Sequence, residues 1–400
     1  MEVLFVILLS VLLAYLAVAT LYLLALALGY AVLSAVSAGS NSPQNSFAIL
    51  VPAHDEAMLV GGLCQSLQEL HYPAEKFEIF IIADNCSDAT AEICQSFGVQ
   101  VLERDDQQHR GKGQALAWAM ERVGLSRFDA VFIVDADNYV DPEILHELNR
   151  HINRGESAIQ CFNAVGNRDD SWFTRLLYVS RTICNLLYHE AKYRLGLSSY
   201  LMGNGLCFRS ELLAKRGWTA FSAGEDWEYY AQLVASGVLI SFAADARVYH
   251  QESCSLNQAT SQRLRWASGR FRIARTHGLH LMIKGAREGD WRIFDASLPL
   301  IFPNYSLQIN LTLAGMFGAL FVSDPGVKVL FAWSFSGLLA GLFLLFLAGA
   351  VLSGSVWKTL LAACYAPFFL VWKGVIDLLC LTGLHRGGDW VRTTRHKPFT

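Results

Sequence analysis

Two aspartates one residue apart, Asp135 and Asp137, close the apolar run Val131-Phe132-Ile133-Val134. A short unbroken run of β-branched and aromatic residues reads as a strand buried on both faces, as in a parallel sheet between helix layers. Side chains alternate along a strand, so both aspartates project the same way at its carboxyl end. Adjacent carboxylates repel unless positive charge lies between them. Mg²⁺ or Mn²⁺ takes such oxygen ligands and commonly holds a phosphate as well. Ligands of open α/β sheets bind at the carboxyl ends of strands, where this pair falls. By itself the pair reads equally as a solvated acidic turn ahead of a helix starting near Asp141-Pro142.

Two more acids stand directly after apolar runs. Asp55, followed by Glu56, closes Phe47-Ala48-Ile49-Leu50-Val51, and Asp84 closes Glu78-Ile79-Phe80-Ile81-Ile82-Ala83. Acids at one edge of one sheet form a crevice suited to ribose hydroxyls. Lys112, between Gly111 and Gly113, opens a helix and puts an ammonium and free N–H groups where a diphosphate could lie; a surface lysine is the alternative. The glycine spacing there matches neither the dinucleotide fingerprint nor the P-loop. Gly203-Asn204-Gly205 permits close approach of the main chain to a ligand, or makes a plain turn.

Gly224-Glu225-Asp226-Trp227-Glu228 begins a further helix, where acids suit the macrodipole whatever their role. An acceptor hydroxyl must lose its proton as it attacks, and we choose Asp226 as the base, with Glu225 the alternative. Gln262-Arg263-Leu264-Arg265-Trp266 lies in a helix expected from Ser255 to Thr276, and Gln262 and Trp266 share a face. Such an arginine-rich helix either lies on anionic head groups or closes an arginine on a diphosphate and Trp266 on a sugar ring.

The elements that position these residues alternate. Strands at 47–51, 78–83, 99–102, 131–134, 158–163 and 206–208 are separated by helices at 57–70, 89–97, 111–123, 142–152 and 172–195. This is the βαβ pattern of a mostly parallel sheet. It fills residues 47–254, with the arginine-rich segment at 255–292.

Residues 1–36 hold no Lys, Arg or Asp and are apolar for longer than the roughly 20 residues a bilayer requires. Neither the length of that core nor the lack of a preceding Lys or Arg suits a cleaved signal, so the segment reads as an anchor. Residues 37–46 form a polar connector. In the C-terminal part, 293–384, uncharged runs at 296–323 and 329–357 are each long enough to cross. Thr359–Leu384 carries Pro367, Lys373 and Asp377 and reads as interfacial, which gives three spans in all. The tail, 385–400, carries Arg386, Arg392, Arg395 and Lys397 and votes for a cytoplasmic domain by the positive-inside rule. A formal net charge of −3 gives no sign of a nucleic-acid partner. Nine cysteines without a Cys-x-x-Cys argue against a disulfide framework and for a reducing compartment.

Taken in order, these stations resemble the family 2 glycosyltransferases of the GT-A fold, over about residues 46–275. The membrane-embedded branch of cellulose, hyaluronan, chitin and poly-N-acetylglucosamine synthases looks most similar. The resemblance implies that Asp55, Glu56 and Asp84 serve the uridine side. It implies that Asp135 and Asp137 hold UDP and its metal, with His250 either a third ligand or a hydrogen-bonded histidine. Asp226 would be the general base, Gln262, Arg265 and Trp266 the Gln-x-x-Arg-Trp cover, and Gly203-Asn204-Gly205 the acceptor loop. That loop departs from the Phe-Phe-Cys-Gly-Ser pattern of cellulose synthase, which leaves the acceptor open. The expected reaction is inverting transfer from a UDP-sugar to a growing β-linked polysaccharide, in a membrane protein that could work with export or accessory subunits. Transfer of one sugar to a lipid is the alternative, and a sugar-nucleotide-binding scaffold without catalysis is a third.

Overall fold

Period-two alternation of the apolar strands divides the core of this chain into two layers. The structure, a computed structural model, describes residues 1–36 and 42–384. An apolar helix, α1 (Glu2–Val32), leads to β1 (Phe47–Ala53), α2 (Val60–Gln68), β2 (Phe77–Asp84), α3 (Thr90–Ser96), β3 (Gln100–Arg104), α4 (Lys112–Val123), β4 (Ala130–Ile133) and β5 (Asn138–Val140). After α5 (Ile144–Asn153) and β6 (Ala158–Val165), α6 (Trp172–Thr182) runs through a π-helical stretch, Ile183–Glu190, into α7 (Ala191–Arg194). Next come β7 (Leu206–Arg209), α8 (Ser210–Arg216), α9 (Glu225–Ala235), β8 (Ser241–His250) and α10 (Leu256–Ile273). The remainder is helical: α11 (Leu279–Glu288), α12 (Trp291–Ile301), α13 (Tyr305–Ala319), α14 (Pro325–Leu352), α15 (Val356–Ala363) and α16 (Ala366–Leu381).

The strands form one sheet in the order β3-β2-β1-β4-β7-β6-β8-β5. Neighbours from β3 to β4 are parallel, and so are β6 and β8, whereas β7 and β5 run the other way. The sheet is thus mostly parallel, as the βαβ pattern predicts. Ala48, Leu50, Val131 and Ile133 face one layer, with α4 and α9. Phe47, Ile49, Val51, Ala130 and Phe132 face the other, with α2 and α5. Both faces of β4 are fully buried, which is why its sequence shows no polar alternation. β5 pairs with the far end of β8, beyond a register irregularity at Cys161/Phe162, so the Asp135–Asp137 turn passes over the carboxyl ends of the central strands.

Among the described residues α1 and α14 are long and apolar enough to cross a membrane, and α15 with α16, bent by 65°, forms a third candidate. The expected span 296–323 is not one helix. It breaks at Phe302-Pro303-Asn304, where Pro303 has no N–H to donate and the Asn304 side chain caps α13 by accepting from Leu307 N. With 15 residues, α13 rises only about 22 Å, short of a hydrocarbon core of about 30 Å. The Thr359–Leu384 segment, expected to be interfacial, is the bent pair itself. Residues 37–41 of the connector and the basic tail 385–400 lie outside the described residues. The rest of the connector is pinned, because Asn149 Oδ1 accepts from Gln44 N (3.2 Å) and Asn45 N (3.1 Å), and Ser46 N donates to Asp129 (2.8 Å).

α1 is fastened through Tyr22 to a buried ion pair that joins α7 to α12. Lys192 Nζ lies 2.8 Å from Asp295 Oδ2 with both side chains fully buried, and Tyr22 of α1 donates to Asp295 Oδ1 at 2.7 Å. Lys192→Met should leave an unpaired buried carboxylate and lower stability by about 3–5 kcal/mol. Thermal melts of the solubilised protein check this, and Lys192→Met/Asp295→Leu should recover most of the loss.

Candidate active site

Asp135 follows β4 and meets two other segments. Its carboxylate takes the ammonium of Lys112, the first residue of α4, and the same ammonium donates to the Gly203 carbonyl. Its backbone N–H donates to Asn204 Oδ1 at 3.1 Å. One lysine therefore joins the end of β4, the start of α4 and the Gly203-Asn204-Gly205 loop.

That loop packs directly against the first turn of α9. Gly203 has φ +80°, and a Cβ there would stand 3.2 Å from Asp226 Oδ2, so a side chain would be both strained and in the way. Buried amides hold Asn204: Gln160 Nε2 donates to its carbonyl at 2.8 Å, and its own Nδ2 donates to Asn163 Oδ1 at 3.3 Å. Asn185 in turn donates to the Asn163 carbonyl at 2.8 Å.

Glu225 and Asp226 form the first turn of α9. The preceding Gly224 touches Gly269 of α10 so closely that a Cβ on either would come within 3.0 Å of the other's Cα. Arg265 lies one turn before Gly269 and so on the same face of α10, and its charge acts on both Asp135 and Glu225. Burial, then Glu225, pushes the Asp226 carboxyl up to about 7. Burial also raises Asp135, against Lys112, and raises Glu225. For Lys112, burial opposes the charged form, but Asp135, Glu225 and Asp226 outweigh it and the pKa is raised. Asp137 adds its charge to the same cluster. Lys112 thus acts on Asp135, Glu225 and Asp226, and Arg265 on Asp135 and Glu225, compensation to which a divalent cation would add.

His250, at the end of β8, is the register partner of Asn138 and so sits beside Asp137. Its Nε2 is 3.1 Å from Glu252, a carboxylate that sequence reasoning missed. Burial alone would raise Glu252, but Arg263 at 2.5 Å, His250 and Arg181 hold it well below the ordinary carboxylate range. Asp55 and Asp84 end their strands as expected, yet each is engaged by protein. Asp84 pairs with the buried Arg104 and Asp55 accepts from Ser87 N at 2.6 Å. Ligating atoms of Asp55, Cys86 and Asp88 lie within 4.8 Å of one another, but Asp88 accepts from Ala57 N and Thr90 N, so these acids fasten the β1 and β2 loops together. Glu56 donates its backbone N–H to Thr90.

Along α10, Gln262 is half-buried and Trp266 is exposed, with the Arg263 guanidinium 4.7 Å and that of Arg181 5.9 Å from its ring. Trp266 opens onto a cavity of about 420 Å³ between the sheet domain and the helices, shared with Trp227, Arg181, Arg263, Arg270 and Lys373. Polar Gln160 and Asn163 inside a predicted strand were the one sequence signal for the amide network; nothing local marks Glu252 or Arg181.

A mostly parallel sheet between helix layers, with carboxylates gathered at its carboxyl ends under a covering helix, is the GT-A fold. The structure superposes on a mannosyltransferase from Pyrobaculum calidifontis, solved with GDP-Man and Mn²⁺, with a TM-score of 0.60 at 18% identity, covering 92% of this chain and 99% of that one. Residues 43–269, more than half of the chain, match the family described as glycosyltransferase like family 2, and the chain belongs to that family. A probable glycosyltransferase of Bacillus subtilis is 24% identical over 231 residues, 55% of this chain and 54% of its own. A beta-monoglucosyldiacylglycerol synthase of Trichormus variabilis is 26% identical over 230 residues, 56% of this chain and 48% of its own. The chain spans about half the length of these curated relatives.

The raised Asp226 has a consequence for stability. Its ordinary value is 3.8 and its folded value about 7, so between them the folded chain keeps a proton that the unfolded chain has released. The contribution of this group is complete below the ordinary value and is lost as pH rises through about 7. Asp226→Asn, neutral throughout, should lose less stability than the parent over that window in thermal melts; equal losses would show that ionising Asp226 is not disfavoured.

Proposed function

We propose that the chain is an inverting glycosyltransferase that moves one sugar from a nucleoside-diphosphate sugar, a UDP-sugar by the family resemblance, to a hydroxyl of a membrane-borne acceptor. The observation that carries this is Asp226, a half-buried carboxyl with pKa pushed up to about 7, in one charge cluster with Asp135 and Lys112. A base whose pKa lies near the working pH is well matched to taking a proton in the transition state.

In this reading Asp226 accepts the hydroxyl proton as the acceptor oxygen bonds to the anomeric carbon. The bond from that carbon to the diphosphate oxygen breaks, and its electron pair leaves with the nucleoside diphosphate. Lys112 and Arg265 offset the departing negative charge, and attack opposite the leaving group inverts the centre. Asp135 and Asp137, with His250 as the further candidate, fit a hard divalent cation such as Mg²⁺ or Mn²⁺, since the cluster already recruits an ammonium to Asp135. When bound, that ion supplies Lewis-acid neutralisation of the diphosphate. Asp55, Glu56 and Asp84 fit the nucleoside side through the loops they brace, and Gln262, Arg265 and Trp266 the cover.

A growing β-linked polysaccharide and a single lipid-linked product share this chemistry. The cavity favours the lipid, because its walls come from α1, α6, α10, α13 and α16 and it borders Trp227, next to the base. We place the sheet domain on the cytoplasmic side of a membrane, with α1 as the anchor.

Incubating the full chain with radiolabelled UDP- and GDP-sugars tests the reading. One donor should be consumed with release of its nucleoside diphosphate, and label should pass into a small lipid-extractable product. Chelation should abolish transfer and Mn²⁺ or Mg²⁺ restore it. Asp226→Asn should lower kcat by about 10²–10⁴. The parent's rate should climb with pH and level off above about 7, as Asp226 ionises. No transfer from any donor, or an undiminished rate in Asp226→Asn, would reject the proposal; tight nucleotide binding without turnover would instead support a scaffold.

A further inference from the structure

The cavity beside Trp227 and Trp266 is unusual in charge for a space walled by membrane-side helices. Leu176, Leu177, Phe271, Ile309, Phe346 and Phe369 give it an apolar lining, yet Arg181, Arg263, Arg270 and Lys373 also border it. Two carboxylates answer these four cations. Glu252 lies 2.5 Å from Arg263 and 3.6 Å from Arg181, and Asp377 pairs with Lys373. Arg270 has no carboxylate within 4.0 Å among the described residues, though the charge of Asp377 reaches it, and its Nη2 donates to the carbonyls of Pro299 (2.9 Å) and Phe302 (2.6 Å). Excess positive charge in a low-dielectric wall calls for an anion, and guanidinium forks suit phosphate oxygens in particular.

We infer that the cavity binds an acceptor lipid of three parts in sequence: a hydroxyl at Asp226, a phosphate among Arg181, Arg263, Arg270 and Lys373, and an apolar tail between α1, α13 and α16. The hydroxyl end rests on the glycosyl-transfer reading, whereas the phosphate site stands on the cavity alone. Charge complementarity selects this occupant over a neutral glycerolipid, which would leave the excess of positive over negative charge unanswered. The transfer itself is unchanged: the new bond joins the lipid hydroxyl oxygen to the anomeric carbon, Asp226 takes the proton, and the nucleoside diphosphate leaves.

The test is direct binding to the full chain in neutral detergent, by calorimetry, with three probes: didecanoyl phosphatidylglycerol, didecanoylglycerol and inorganic phosphate. The two lipids share tails and free hydroxyls and differ in the phosphate. Phosphatidylglycerol should bind at least about tenfold more tightly than diacylglycerol, and inorganic phosphate more weakly than either. Arg270→Gln, which takes no ion-pair partner from a buried carboxylate, should reduce the preference to about threefold or less at an unchanged melting temperature. Should that variant melt early, Arg181→Gln serves, with the same direction expected. Equal affinity for the two lipids, a preference untouched by the substitutions, or inorganic phosphate binding as tightly as the phospholipid would each overturn the inference. None of these readings needs turnover, so a failed phosphate site and a failed transferase are separate results.

Discussion

Carboxylates can gather at one point only if something compensates their repulsion and their loss of water, and in this protein that task falls to Lys112. At about 4 Å, two unit charges interact by about 4 kcal/mol in a medium of partly buried character, too much to leave unbalanced in a fold of ordinary stability. Lys112 bridges Asp135 and the Gly203 carbonyl, so the same ammonium that quiets the acids also fixes the loop nearest Asp226. Asp135, Glu225 and Asp226 remain raised beside it, so burial still disfavours their charged forms, and in the proposed reaction a cation arriving there would favour them.

Bringing four loops that close also demands backbones without side chains between them. Gly113 shows this at the start of α4, where a Cβ would fall 2.1 Å from the Ala220 carbonyl, and Gly224 with Gly269 shows it between α9 and α10. These contacts let helix starts, with their unpaired N–H groups, converge on one place. Charge supplies the attraction in the site and absence of bulk supplies the access, and neither suffices alone.

Much of this was legible in the sequence because it is local. Apolar runs gave the strands, the acids that end them gave the carboxyl-edge crevice, and Gly111-Lys112 and Gly224-Glu225-Asp226 gave helix starts that the structure brings together. What escaped depends on pairing between distant segments. Leu206–Arg209 reads as a strand, but nothing in four residues says that it lies antiparallel between β4 and β6. Arg181 and Arg263 meet at Glu252 across 71 and 11 residues of chain, without a spacing rule to announce it. Hydropathy saw 296–323 as one crossing because it weighs side chains, whereas the break at Phe302-Pro303-Asn304 is a matter of one missing N–H and one capping amide.

Glu252 also explains how a polar site on a sheet can be joined to an apolar cavity among helices. A buried carboxylate is tolerable only when hydrogen-bond donors and cations surround it, and here they come from three elements: His250 from β8, Arg181 from α6 and Arg263 from α10. His250 stands beside the Asp135–Asp137 turn, while Arg181 and Arg263 both flank the Trp266 ring at the cavity. Displacing any of the three would leave this acid under-compensated, so α10 cannot shift against β8 without cost. The covering helix is therefore held at one setting relative to the carboxylate cluster, which keeps the charge of Arg265 within reach of Asp135 and Trp266 at the cavity at the same time. One ion network thus registers α10 to β8 and, through them, the cavity to the carboxylate cluster.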